Sequence, residues 1–133
     1  MIIGIGVDLC DSRRIGQSLE RFGQRFLDRC FTKAEQAACK GHAHEAQKLA
    51  RRYAAKEAAA KALGTGIGEL AWLTEIEVVS EPNGRPVLHL HERTAETFGK
   101  LTPEGMTGVT HISITDEGDL AQAFVILEAR PAG

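Results

Sequence analysis

No apolar run in this chain is longer than a β-strand, which disfavours a membrane-spanning helix. The opening MIIGIGVDLC has no basic residue ahead of its apolar ones and meets Asp8 too early for a secretory signal, so a cytoplasmic protein is expected. Cysteine is scarce: Cys10, Cys30 and Cys39 are odd in number and lack CxxC spacing, which argues for reduced thiols rather than a disulfide framework. Internal repeats and low-complexity tracts are missing, and an apolar fraction of 43% with 26% charged residues disfavours disordered and collagen-like chains. What remains is a globular chain of 133 residues, expected to form a single domain over residues 1–133 whose core needs neither disulfide nor metal.

Charge is present but unevenly placed. Residues 1–61 hold 12 Lys/Arg against 7 Asp/Glu, a net +5, whereas residues 62–133 hold 4 against 11, a net −7. Such asymmetry fits either an N-terminal half that presents a basic face to something anionic or solvated charge spread over opposite faces.

The alternation of glycine with β-branched residues over Ile2 to Leu9 predicts a buried strand ending at Asp8. Asp11 or Ser12 can cap a helix with Ile15, Leu19 and Phe22 on one side and Arg13, Arg14, Gln17, Arg21 and Arg25 on the other. Thr32 and Glu35 have capping-box spacing for another helix start. From about Ala43 to Leu63 the chain is free of proline and glycine and reads as a long helix, ended by GTGIG. Two strand-like runs, LTEIEVVS and RPVLHLH, flank the turn signal Asn83-Gly84; a helix through ERTAETFGKL and a second hairpin, TGVTHISIT with DLAQAFVILEA, follow. This order predicts an α+β fold with a mostly antiparallel sheet and a long central helix.

The long helix carries RRYAAKEAAAKALGTG, and within it EAAAK, a sequence typical of passive helical spacers. Leu49, Tyr53, Ala60 and Leu63 make its core stripe, with Lys56 inside that stripe as either a snorkelling side chain or a cation aimed at an anionic ligand. Glu57 and Lys61 stand four apart, the spacing of a surface ion pair. Three features point beyond that. Alanines at 50, 54, 55, 58, 59 and 62 let backbone or a flat ligand approach closely, and the glycines of GTGIG allow backbone N–H groups to face phosphate oxygens. Arg51, Arg52, Lys56 and Lys61 surround one carboxylate, Glu57, as at a phosphate site bridged by Mg²⁺, where the substrate supplies most oxygen ligands. Asp8 is the candidate for the second protein ligand; its other reading is a helix N-cap.

GIGVDLCDSRRI, FTKAE, RRYAAKEAAAKALGTGI, NGRP and HISIT, in this order and spacing, resemble the holo-[acyl-carrier-protein] synthase family, the short, single-copy type of 4′-phosphopantetheinyl transferase. The resemblance spans essentially the whole chain. It implies transfer of the 4′-phosphopantetheine arm of coenzyme A to a serine of apo-acyl carrier protein, with release of adenosine 3′,5′-bisphosphate, in support of fatty acid biosynthesis. It also implies a Mg²⁺ held by Asp8 and Glu57, and a homotrimer with active sites between subunits. Family positions that contact coenzyme A fall on Arg52, Lys56, Lys61, Gly64, Thr65, Gly66 and His111, the last reaching across the trimer. Lys61 joins Asp8 and Glu57 as a catalytic residue. Glu35 matches the acidic residue of the F-T-x-x-E stretch and is a candidate base acting through a metal-bound water, or else only a capping-box member. The serine nucleophile belongs to the partner, so no Ser-His-Asp arrangement is required.

Because acyl carrier proteins are acidic, the basic half gains a use, with Arg13, Arg14, Arg21 and Arg25 of the first helix as docking residues and Arg14 on the family's R-I position. Two departures stand out: Tyr53 replaces the more usual Phe or Trp, and Asp116 stands where some members have a second histidine. The pairs His42/His44 and His89/His91 have no further ligands nearby in sequence and are read as surface or packing residues. An actin-like ATPase, suggested by GIGVD, needs a far longer chain. The alternative is a non-catalytic nucleotide-binding or assembly module; neither nucleic acid nor membrane is an expected partner.

Overall fold

The computed structural model describes residues 1–133, and its centre is the alanine-rich helix. The elements in chain order are β1 (Ile2–Asp11), α1 (Ser12–Phe22), α2 (Gln24–Cys30), α3 (Lys33–Cys39) and α4 (Glu45–Leu63). A 3-10 turn (Leu73–Glu75) leads into β2 (Ile76–Ser80), β3 (Pro86–Leu90), α5 (Glu92–Leu101), β4 (Met106–Glu117) and β5 (Leu120–Pro131). The fold is α+β and every strand pairing is antiparallel, but the strands form two sheets, β1-β5-β4 and the hairpin β2-β3. Both hairpins expected from their turn residues are present, as is the capping box of Thr32 and Glu35 on α3.

Small side chains explain why α4 is buried. Its alanines at 50, 54, 55, 58, 59 and 62 are all inaccessible, so the helix lies flat against its neighbours. On one side β1 comes so near that a Cβ on Gly4 or Gly6 would sit 1.8 Å from the carbonyl oxygens of Ala62 or Ala58. Only glycine permits that approach. The smooth helix thus admits backbone, as its alanine content foretold, and the backbone is that of β1.

This packing corrects the reading of Ile2 to Leu9 as a buried strand. β1 is an edge strand with its glycines against the helix, while Ile5, Val7 and Leu9 point outward at 54%, 42% and 60% exposure. The inner face of the sheet is completed by Ala121, Ala123, Val125 and Leu127 of β5, all buried. A second correction concerns the first helix. Gly23, at φ 55°, ends α1, and Arg25 stands on the separate helix α2. No helix is long and apolar enough to cross a membrane.

Candidate active site

Asp8 lies near the end of β1, on the side of the strand that faces α4, and its side chain is 18% exposed. Lys61, near the C-terminus of α4, donates to Asp8 Oδ1 at 2.8 Å and to the Val7 carbonyl at 3.2 Å. The Asp8 carboxylate holds the Lys61 ammonium pKa above its ordinary value. One helical turn earlier, Glu57 projects into the same region. Burial raises its pKa and the Asp8 charge raises it further, while Tyr53 and Lys61 pull it back. Glu57 therefore senses Asp8 as a like charge in a half-buried setting, only partly offset by Lys61.

These two carboxylates line one cleft of about 410 Å³. Its other wall is α1, with Arg14, Gln17, Ser18 and Arg21, and its floor holds Cys10 and Tyr53. Beyond Ser18, Phe22, Phe26 and Tyr53, which both share, lies a larger hollow of about 860 Å³ containing Arg25, Arg29, Ile67 and Trp72. The Arg29 guanidinium stacks 5.4 Å from the Trp72 ring centroid. Arg14, Arg21, Arg25 and Arg29 have no carboxylate partners, so α1 and α2 offer four uncompensated cations along a partly apolar trough.

Several sequence expectations are corrected here. Arg13 turns back to Asp11 at 2.7 Å and Asp119 at 3.6 Å, so its charge is spoken for and it lines neither hollow. Asp11, not Asp8, is the N-cap of α1. Lys56 does not reach the cleft: its side chain is fully buried and donates to Glu35 Oε1 at 2.6 Å, to the Leu73 carbonyl at 2.8 Å and to the Ile76 carbonyl. All three ammonium protons are used, which leaves none for coenzyme A. Burial pushes the Lys56 pKa down and Glu35 pulls it back. Glu35 is buried with it and accepts from Lys56, Thr32 N and Val78 N, so it has no path to a substrate hydroxyl and is not the base.

Gly64, Thr65 and Gly66 also behave differently from the phosphate cradle expected of them. Their N–H groups donate to the carbonyls of Lys61 and Ala60, closing the end of α4 around left-handed Gly64. The donors are spent, and a helix C-terminus repels anions. Any contact these residues make with a nucleotide has to use carbonyl oxygens, the Thr65 side chain or van der Waals surface. Arg52 faces α3 instead of the cleft. It donates to the Lys48 carbonyl at 3.1 Å, acts on the buried Cys39 thiol, and leaves its buried Nε without a partner.

His111 sits on β4 opposite Ile126, on the sheet face turned away from α4. Its Nε2 is 2.9 Å from Glu128 Oε1, a carboxylate that Arg130 also contacts at 2.9 Å. Within one chain His111 lines neither hollow. The cysteines are free and buried; burial, helped by Asp8, pushes Cys10 up to about 11, which keeps its thiol protonated and unreactive. His91 pairs with Glu77 at 3.1 Å and stacks with His89.

Sequence reasoning missed Arg29, Phe26 and Trp72 as lining residues, and gave Phe22 only a place on the apolar side of the first helix. Arg29 had a signal, since it follows Arg25 by one helical turn. Trp72 had none, because its place depends on the loop after α4 folding back over α2.

As a metal centre the site is sparse, and no group of three or more His, Cys, Asp or Glu is gathered. Two half-buried carboxylates that repel one another suit a hard cation such as Mg²⁺, which takes its remaining oxygens from water and phosphate. The donor set therefore fits the ion, with Asp8 and Glu57 as the residues that would hold it.

The profile of the 4′-phosphopantetheinyl transferase superfamily matches residues 4–125. A holo-[acyl-carrier-protein] synthase of Methylobacterium nodulans is 52% identical over 131 residues, 98% of this chain and 99% of that one. Among solved structures, the holo-[acyl-carrier-protein] synthase of Neisseria meningitidis superposes with a TM-score of 0.84 at 33% identity, covering 96% of this chain and 99% of that one. The Bacillus anthracis enzyme in complex with coenzyme A (3′,5′-ADP) does so at 0.77 and 32% identity, with 96% of each chain covered. With the cleft, the carboxylate pair and these matches together, the chain belongs to the holo-[acyl-carrier-protein] synthases of the 4′-phosphopantetheinyl transferase superfamily.

Proposed function

We propose that this chain, as one transferase domain, moves the 4′-phosphopantetheine arm of coenzyme A onto a serine of apo-acyl carrier protein, and that it does so in the cytoplasm in support of fatty acid biosynthesis. The observation that carries the reading is the meeting of Asp8 and Glu57 in a cleft whose far wall is a row of unpaired arginines. The serine oxygen gives up its proton to solvent water and bonds to the β-phosphorus, and the bond from that phosphorus to the bridging oxygen breaks. Adenosine 3′,5′-bisphosphate departs with that oxygen.

Asp8 and Glu57 would hold Mg²⁺, which when bound supplies positive charge to the pyrophosphate oxygens. Lys61 stands beside Asp8 and is half exposed, placed to neutralise phosphate on the nucleotide side. Tyr53, standing where the family more often has Phe or Trp, keeps an aromatic ring beside Glu57 and adds a hydroxyl that hydrogen-bonds to the carboxylate. Arg14, Arg21 and Arg25, joined by Arg29, form the docking face for the acidic carrier, with the trough between them open to apolar side chains.

The assembly is read as a homotrimer. Ile5, Val7, Leu9, Leu120 and Phe124 expose an apolar sheet face of the kind that other copies cover. The number of copies follows the family resemblance. His111 lies on this same face, where it would stand at a neighbour's cleft and meet coenzyme A from outside. Light scattering tests the assembly: a mass of three chains supports it, and a monomer at micromolar concentration refutes it.

The function is tested by incubating the protein with apo-acyl carrier protein, coenzyme A and Mg²⁺ and reading the carrier's intact mass. A gain of one phosphopantetheine arm, with release of the bisphosphate, is expected. Unmodified carrier across several carrier proteins would overturn the assignment and leave a non-catalytic nucleotide-binding module.

A further inference from the structure

Lys56 belongs to the same six-residue stretch as Glu57 and Lys61 yet touches nothing in the cleft. Its ammonium is the meeting point of three elements other than its own: Glu35 of α3 at 2.6 Å, the carbonyl of Leu73 in the 3-10 turn at 2.8 Å, and the carbonyl of Ile76 at the start of β2. Glu35 extends the node through Thr32 N and Val78 N, each at 2.9 Å, and the Thr32 hydroxyl donates to Glu77 at 2.6 Å. The Phe31 ring covers the ammonium at 5.5 Å. Every polar atom of the pair has a partner.

A buried ion pair of this kind adds little net stability relative to an apolar replacement of equal volume. What it does supply is direction: three fixed acceptors admit one rotation of α4 about its axis. Glu57 is the next residue on that helix, so the rotation that satisfies Lys56 also sets where the Glu57 carboxylate lies relative to Asp8. Leu73, whose carbonyl takes one of the bonds, lines the larger hollow beside Trp72. One ammonium thus ties together the carboxylate end of the cleft and the wall of the hollow next to it.

We propose that Lys56, through its node with Glu35, is a positioning residue that fixes Glu57 for metal binding; this rests on the reading of Asp8 and Glu57 as the metal pair. The test compares wild type with the charge-free double variant Lys56→Met/Glu35→Gln and with Glu35→Asp, which keeps the charge but shortens the reach. Mn²⁺ is the probe, its affinity read by electron paramagnetic resonance in the presence of coenzyme A, beside melting temperature and separate kcat and KM values. In the folded double variant, Mn²⁺ affinity should fall by about tenfold or more, as for lost outer-shell support, with kcat falling and KM for coenzyme A nearly unchanged. Glu35→Asp should lose Mn²⁺ affinity in the same direction, and decides the matter alone if the double variant does not fold. A folded variant that melts lower but binds Mn²⁺ and turns over like wild type would make the node purely structural and end the proposal. Glu57→Gln, measured in parallel, separates the two ideas. If it loses Mn²⁺ while the node variants keep it, only positioning fails; if it binds Mn²⁺ like wild type, the metal reading fails and takes positioning with it.

Discussion

Lys56 and Glu57 are neighbours in the chain, about 100° apart around α4, and their surroundings are opposite. The Lys56 side is dry and complete, with each donor and acceptor matched among α3, the 3-10 turn and β2. The Glu57 side is open: burial and the nearby Asp8 raise the cost of the Glu57 charge, one half-exposed lysine offsets part of it, and unpaired Arg14 and Arg21 line the opposite wall of the cleft. The first arrangement has nothing left to bind with. The second is held in place by the protein and left open, and under the proposed function a ligand finishes it, the pattern expected where charge is stored for chemistry. If the proposed transfer holds, charge on one helix serves shape on one side and reaction on the other, and the count of unmet partners tells them apart.

The sharpest way to break this comparison is Glu57→Gln. Removing the carboxylate from the open side should lower kcat by about 10³-fold, roughly 4 kcal/mol of lost transition-state stabilisation, with the fold intact by circular dichroism. Near-normal turnover would place Glu57 among ordinary surface ion pairs. A change on the packed side should act on folding instead. Gly6→Ala drives a Cβ into the Ala58 carbonyl at 1.8 Å and should cost at least about 3 kcal/mol in a denaturant melt; a loss under about 1 kcal/mol would mean that β1 can draw away from α4 cheaply.

Arg14→Glu probes the cation row across the cleft. The apparent KM for carrier protein should rise by about tenfold, with coenzyme A affinity unchanged; equal effects on both substrates would remove the docking role. The smallest effect concerns pH. Burial and then Asp8 raise the Glu57 pKa above its ordinary 4.5. A carboxyl raised on folding contributes stability that is fully present below its unfolded value and lost as pH rises through its folded one. Metal-free wild type should therefore melt increasingly below Glu57→Gln as pH climbs from 4.5. A gap that stays constant with pH would show that folding does not raise the Glu57 pKa.

Much of this was legible beforehand because it is local. The length of α4, its glycine cap, the Thr32 capping box and the Asn83-Gly84 turn follow from neighbours in the chain, and each is present. The convergence of Asp8 and Glu57 came from family resemblance together with charge arithmetic. What escaped was set by distant approach. The alternation in β1 is compatible with either face inward, and only the closeness of Ala58 and Ala62 decides that the glycines turn in. Lys56 finds Glu35 across 21 residues and Leu73 across 17, pairings that no periodicity encodes. The glycines after α4 looked like phosphate donors because composition does not reveal whether an N–H is already bonded; here the helix end takes them.

The most direct test of the open side of α4 is a calorimetric titration of Mg²⁺ into the coenzyme A complex of wild type and of Asp8→Asn. Asp8 is chosen because it lies on β1, outside the helix whose two sides are being compared. One Mg²⁺ per chain is expected for wild type, with loss of that binding in Asp8→Asn and no change in fold. Equal Mg²⁺ binding by both proteins would contradict a metal held by Asp8 and Glu57.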